Sequence, residues 1–283
     1  MGDSVTGGRF RLDPRLNTTF GLAVLHVITV EPSLGDLSAA LVLKGGAAML
    51  FAYGSGRMTR GDLDFDARQT VVVTEDDANR LIALLRDPWN ARKAFDASRG
   101  WEFESNSFRT NFGPIAFQHA RARSGGRLSI QISRRQVPPY LATFITSRTF
   151  DAPAGGTFAF PVMPLESIAA EKAFRSICKD GPVTNDLYDL GYIDAQPDLR
   201  HSNVLETFNK VRRDEADKLA TRANQVVALR EARKRARTAD GTTDLFGDAR
   251  VIDPDVDDET AKIRVLAGIA FVEKLAGLAR PST

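Results

Sequence analysis

Two groups of residues in this chain are of a type and spacing that can do chemistry on phosphates. Asp62 and Asp64 stand two apart in Asp62-Leu63-Asp64-Phe65-Asp66, where acidic and apolar residues alternate with the period of a half-buried strand. On a strand their carboxylates emerge from one face. So placed, they can coordinate one or two Mg²⁺ ions, which bridge phosphate oxygens and offset charge in phosphoryl transfer. Upstream, Lys44-Gly45-Gly46 lies between a short apolar run, Leu41-Val42-Leu43, and a stretch of small and apolar residues, Ala47 to Tyr53. Glycines there let the backbone approach a triphosphate, and a helix N-terminus adds N–H donors. Each half has a plainer reading when taken alone. Asp-x-Asp on a strand can be a solvated face, and Gly-Gly before a helix an ordinary turn.

The elements that must position these residues are legible in outline. Residues 17–30 carry a helical apolar pattern that ends near Glu31-Pro32, and Gly54-Ser55-Gly56 stops the buried helix after Gly46. A second strand is expected at Thr70 to Val73. A helix is expected from Glu75 to Arg86, capped by Thr74 and closed before Pro88. Trp101–Phe108, Pro114–Ala120, Arg127–Ser133 and Tyr140–Phe150 read as strands. After Phe158-Ala159-Phe160 the chain changes character. Pro164 opens a helix through about Cys178, and from Asn185 onward nearly everything is helix-forming except a loop near 240–254. The expected fold is α+β, with a mixed-sheet α/β domain over 1–162 followed by a helical domain over 163–283.

The bulk properties exclude several classes. Of the 283 residues 43% are hydrophobic and 26% charged, the balance of an ordinary globular protein, and a net charge of +2 is too small to argue for nucleic-acid binding by itself. Cys178 is the single cysteine, which rules out an intrachain disulfide and leaves a cysteine zinc site unsupported. His26, His119 and His201 are too dispersed to suggest metal-ligand spacing. Met1-Gly2 to Thr6 fits only a loose myristoylation pattern, and no signal peptide or membrane span is read, so a cytoplasmic location is expected.

Together and in order, Lys44-Gly45-Gly46-Ala47-Ala48 and Arg57-Met58-Thr59-Arg60-Gly61-Asp62-Leu63-Asp64-Phe65 resemble the AbiEii/AbiGii (MenT-like) nucleotidyltransferase toxins. These belong to the polymerase beta-like superfamily and form the toxin halves of type IV-style toxin–antitoxin pairs. Two later motifs match in order, Pro164-Leu165-Glu166 with Ala170-Glu171-Lys172-Ala173-Phe174, and Asn185-Asp186-Leu187-Tyr188-Asp189-Leu190. The resemblance covers about residues 38–193. It implies a polymerase beta-like core followed by a helical bundle. It also implies Asp62 and Asp64 as metal ligands, Gly45 and Gly46 at the nucleotide phosphates, and Lys172 and Asp186 as essential parts of the pocket.

Physically, Lys172 would act as a point charge on the triphosphate, and Asp186 would orient Lys172 or an incoming hydroxyl. The alternatives are a solvated helix lysine and a helix-capping aspartate. Lys44, Arg57, Thr59 and Arg60 are further candidates for nucleotide contacts. The resemblance further implies Mg²⁺ as cofactor, an NTP as substrate, a cognate antitoxin as partner, and tRNA as acceptor through its 3′ end.

The chain departs from the family pattern at three places. The Arg60-Gly61 segment before Asp62 is one residue longer. Asn185 stands where the family has a cation. Gln131, in Ser129-Ile130-Gln131-Ile132-Ser133, occupies the natural place of a third strand carboxylate, and an amide can neither accept a proton nor balance a second Mg²⁺.

For an RNA acceptor, the basic run Arg230, Arg233, Lys234, Arg235 and Arg237 would form a helical stripe following a phosphate backbone, against the plain reading of a solvated face. Arg121, Arg123, Arg127, Arg134 and Arg135 flank the Gln131 strand, and Asp240–Glu259 is acidic. Two competing functions stay open: transfer to a protein or small molecule such as an aminoglycoside, and a degenerate nucleotide-binding module.

Overall fold

The computed structural model describes residues 14–55, 57, 62–68, 76, 80, 101–102, 115–122, 127–137, 139–142, 144–152, 155–247 and 256–278. The first half opens with α1 (Pro14–Val30), a 3-10 turn (Pro32–Leu34) and α2 (Gly35–Ala40), and continues through β1 (Leu41–Lys44), α3 (Gly45–Phe51) and β2 (Asp62–Ala67). There follow β3 (Trp101–Glu102), β4 (Ile115–Ala122), β5 (Arg127–Gln136), α4 (Pro139–Ala142), β6 (Thr146–Asp151) and β7 (Thr157–Val162). The second half is helical: α5 (Leu165–Arg175), α6 (Thr184–Asp194), α7 (His201–Asp214), α8 (Arg222–Thr238), α9 (Thr242–Phe246) and α10 (Asp258–Leu275).

Among the described residues the strands form one mixed seven-stranded sheet in the order β3-β4-β5-β2-β1-β7-β6. β1 runs antiparallel to β2 and parallel to β7, and β2 runs parallel to β5. β1 and β2 are therefore interior strands, which explains their composition. Leu41, Val42 and Leu43 are wholly buried. Leu63 and Phe65 turn the other way from the acidic positions of β2 and are wholly buried too, Phe65 packing on Phe160 of β7 with ring centroids 5.8 Å apart. Asp62, Asp64 and Asp66 hold the alternate positions of the same strand. The α+β class expected from the sequence is the class observed.

Several expectations are corrected or refined. Tyr140–Phe150 is not one strand: Pro139–Ala142 is a helical turn and the strand begins at Thr146. The Pro138-Pro139 pair favours a helix start and denies the ladder two N–H donors. The loop near 240–254 contains α9, stopped by Gly247 in the left-handed conformation at φ 66°. The expected strand at Thr70–Val73 lies outside the described residues, as does most of the Glu75–Arg86 helix.

In the helical half, α6 and α10 cross at backbone contact. A Cβ on Gly268 would sit 1.8 Å from the Leu187 carbonyl oxygen, and one on Gly191 would sit 1.8 Å from that of Arg264. This crossing brings Arg264 over the rings of Tyr188 and Tyr192, at 5.2 Å from each centroid, and its Nη1 donates to the Tyr188 hydroxyl and to the Ser55 carbonyl. The Tyr192 hydroxyl donates to the Tyr53 carbonyl. The loop after α3 is thereby tied to the helical half. Among the described residues, no helix is long and apolar enough to cross a membrane.

Candidate active site

Gly45 begins α3 with φ 66°, a conformation that L side chains rarely adopt. A Cβ there would also lie 2.7 Å from Asp64 Oδ2, because antiparallel pairing sets Lys44 opposite Asp64. The first glycine is thus required both by the sharp strand-to-helix turn and by a carboxylate packed against it. At Gly46 a Cβ would sit 2.7 Å from Arg57 Nη2, so a side chain there would displace the guanidinium.

Lys44 sends its ammonium to within 2.5 Å of Asp66 Oδ1, a close ion contact without aligned hydrogen-bond geometry. Burial pulls the Lys44 pKa down, but Asp66, Glu171 and Asp64 outweigh it and hold the ammonium above its ordinary value.

From the helical half, α5 presents Lys172 and Arg175 and α6 presents Asp186 and Asp189. Each pair is three residues apart and so shares a helix face. The facing pairs interlock. Lys172 Nζ lies 2.6 Å from Asp186 Oδ1 and 2.9 Å from Asp189 Oδ2, and Arg175 Nη2 donates to Asp186 Oδ1 at 2.7 Å. Arg57 completes the network with a two-pronged contact, Nε to Asp189 Oδ1 and Nη2 to Asp189 Oδ2, both at 2.7 Å.

Burial pushes the Asp189 carboxyl up, but Arg57 and Lys172 outweigh it and keep the group below the usual carboxylate range. Burial likewise lowers the Arg57 guanidinium, and Asp189 more than restores it. Asp189 and Arg57 are both buried, so losing the Asp189 carboxylate leaves Arg57 without its carboxylate partner, a loss of about 3–5 kcal/mol, whereas Lys172 keeps Asp186.

Lys44, Gly45, Gly46, Arg57, Asp64, Glu171, Lys172, Arg175 and Asp186 line one cleft of about 940 Å³. The structure therefore brings together the glycine turn, one Asp-x-Asp carboxylate and both later motifs. Lys172 is 3% exposed, so it is not a solvated helix lysine, and the Asp186 carboxylate binds cations rather than capping α6. Arg175 supplies a cation beside Asp186. Asp62 opens β2, while Thr59 and Arg60 lie outside the described residues. Parallel pairing puts Gln131 at the register position beside Asp64.

Asp66, Glu171, Arg175 and Asp189 were not singled out from sequence. Asp66 and Asp189 were discoverable as the further acidic members of Asp62-x-Asp64-x-Asp66 and Asp186-x-x-Asp189. Arg57 lines the cleft, buried beneath Gly46 and paired with Asp189.

The donor chemistry at β2 fits Mg²⁺, which takes one or two carboxylates and completes its shell with water and substrate phosphates. The Asp64 carboxylate sits against the glycine turn where a Cβ would otherwise fill the space. Among the described residues, no group of three or more His, Cys, Asp or Glu side chains is placed to hold a metal.

On α8, Arg230, Lys234 and Arg237 are exposed at helical spacing. Two other members of the expected stripe are engaged elsewhere. Arg233 pairs with Glu273 of α10 at 2.8 Å, and Arg235 donates to Thr184 Oγ1, next to the cleft-lining Val183 and Asn185.

A search of curated proteins finds no match. Among solved structures the chain is similar to a "putative nucleotidyltransferase from H. pylori", with 17% identity over 94% of this chain and 98% of that chain and a TM-score of 0.49. The family described as nucleotidyl transferase AbiEii toxin, type IV TA system, matches residues 32–264. The chain belongs to that family of nucleotidyl transferase toxins, whose type IV systems imply a cognate antitoxin.

Proposed function

We propose that this toxin transfers a nucleotide from an Mg²⁺-bound NTP to the 3′ end of tRNA, and so blocks translation. The observation that carries the reading is the convergence of Gly45-Gly46, Asp64, Lys172 and Asp186 on one cleft. Asp62 and Asp64 would hold Mg²⁺, which when bound supplies charge neutralisation at the phosphates. The Gly45-Gly46 turn, which lines the cleft, would receive the triphosphate. Lys172 contributes positive charge at the cleft wall, and Asp186 orients it. Residues 1–162 then supply the metal and phosphate site, and 163–283 supply Lys172, Asp186 and the RNA contacts. For tRNA the support is the exposed row Arg230, Lys234 and Arg237 on α8, with Arg235 reaching toward the cleft.

A second reading, binding of nucleotide without turnover, is favoured by Gln131 at the register position beside Asp64. The test incubates the chain with labelled NTPs, Mg²⁺ and total tRNA, and runs calorimetry with Mg·NTP alongside. Label in tRNA is the expected result. Label entering protein or a small molecule while tRNA stays unmodified overturns the acceptor, and binding with no label anywhere supports the second reading.

A further inference from the structure

One buried carboxylate joins two parts of the cleft that come from opposite halves of the chain. Asp189 on α6 is wholly buried and is not among the residues that line the cleft. Both residues it grips do line it. One side of Asp189 holds Arg57 through paired 2.7 Å bonds, and Arg57 Nη2 in turn packs so closely under Gly46 that a Cβ there would come within 2.7 Å. The other side holds Lys172 at 2.9 Å, beside the bond from Lys172 to Asp186. A buried ion cluster is weak evidence for stability, since apolar residues of similar volume often do as well. What this one adds is geometry. The planar fork of Arg57 can meet Asp189 in one orientation, which fixes the floor of the glycine turn relative to the ammonium of α5.

We propose that Asp189 is a positioning residue for nucleotidyl transfer, setting the Gly45-Gly46 turn through Arg57 and the cleft-wall cation through Lys172. This rests on the nucleotidyl-transfer reading of the cleft. Asp189 touches no substrate; it acts through two side chains, and its loss displaces both at once. Arg57→Lys keeps the charge but removes the fork, so it disturbs only the glycine-turn arm.

The experiment uses the full chain and measures Mg·NTP affinity by calorimetry beside steady-state transfer, for wild type, Asp189→Asn, Asp189→Glu, Arg57→Lys and the Arg57→Lys/Asp189→Asn pair. Circular dichroism and an unfolding transition establish that each variant is folded. Asp189→Asn is expected to weaken Mg·NTP binding about tenfold and to lower kcat about ten- to a hundredfold, as both arms shift. Arg57→Lys is expected to reproduce the affinity loss with a smaller fall in kcat, and the double variant to be no worse than Asp189→Asn, because the residues act as one unit. Asp189→Glu, which keeps the charge, is expected to recover part of kcat. If Asp189→Asn fails to fold, Asp189→Glu and Arg57→Lys carry the test.

Folded variants within twofold of wild type in both affinity and transfer overturn the proposal, as do purely multiplicative effects in the double variant. If wild type binds Mg·NTP but transfers nothing, the transfer reading fails by itself. The positioning claim is then decided by affinity: weaker binding by Arg57→Lys or Asp189→Asn supports it, and equal binding overturns it.

Discussion

At the scale of single residues, the cleft is organised by buried charges that hold one another. Asp189 is the sharpest case, because its carboxyl is kept below the usual carboxylate range by Arg57 and Lys172 against the opposing effect of burial. The linkage has a definite sign. A carboxyl whose folded pKa is depressed stabilises the native state above its unfolded pKa of about 3.9, and that contribution is lost as pH falls through the folded value. Asp189→Asn is therefore expected to be less stable than wild type at pH 7, with the gap starting to narrow below about pH 4. Urea unfolding at a series of pH values checks this; a gap that stays constant into acid contradicts it.

At the scale of elements, the turn from β1 into α3 and the acidic strand β2 were legible because their signals are local. A run of three apolar residues, two glycines and a period-2 alternation each speak within a few positions. Helix α5 was legible for the same reason, by its apolar period after Pro164. The α6–α10 crossing was not. Gly191 and Gly268 look like weak points in helical patterns, and only their proximity in space shows why a side chain is excluded at each. Gly268→Ala would raise helix propensity locally, yet it forces a methyl group into the Leu187 carbonyl. We expect a net loss of about 1–3 kcal/mol, as for overpacking elsewhere. A higher unfolding midpoint than wild type would show that α10 simply slides away. The same crossing holds Arg264 on Ser55, so transfer is expected to fall along with stability.

At the scale of the whole molecule, the two halves meet through the Arg57–Asp189 contact, which spans 132 residues of sequence. No pattern along the chain reports such a contact, so the sequence offers Arg57 as a candidate nucleotide contact and Asp189 as a motif member without showing that the two pair. The basic helix shows the same limit. Its composition was plain, but Arg233 is spent on Glu273 while Arg230, Lys234 and Arg237 stay exposed.

The two sets should therefore separate in experiment. Replacing Arg230, Lys234 and Arg237 by Ala is expected to weaken tRNA binding and to reduce its log–log salt slope by about 2–3, with little change in stability. Arg233→Ala is expected to lower the unfolding midpoint and leave that slope nearly intact. An unchanged slope in the triple variant would remove α8 as the RNA track.

The central claim is that transfer takes place where the glycine turn meets the β2 carboxylates. It is tested most directly by comparing labelled-NTP transfer in Mg²⁺ between wild type and Asp64→Ala. On the proposed reading Asp64 holds Mg²⁺, and losing a metal worth several kcal/mol at the transferring phosphate predicts a fall of about a thousandfold with the fold retained. Transfer by folded Asp64→Ala within twofold of wild type would place the chemistry elsewhere and contradict the account.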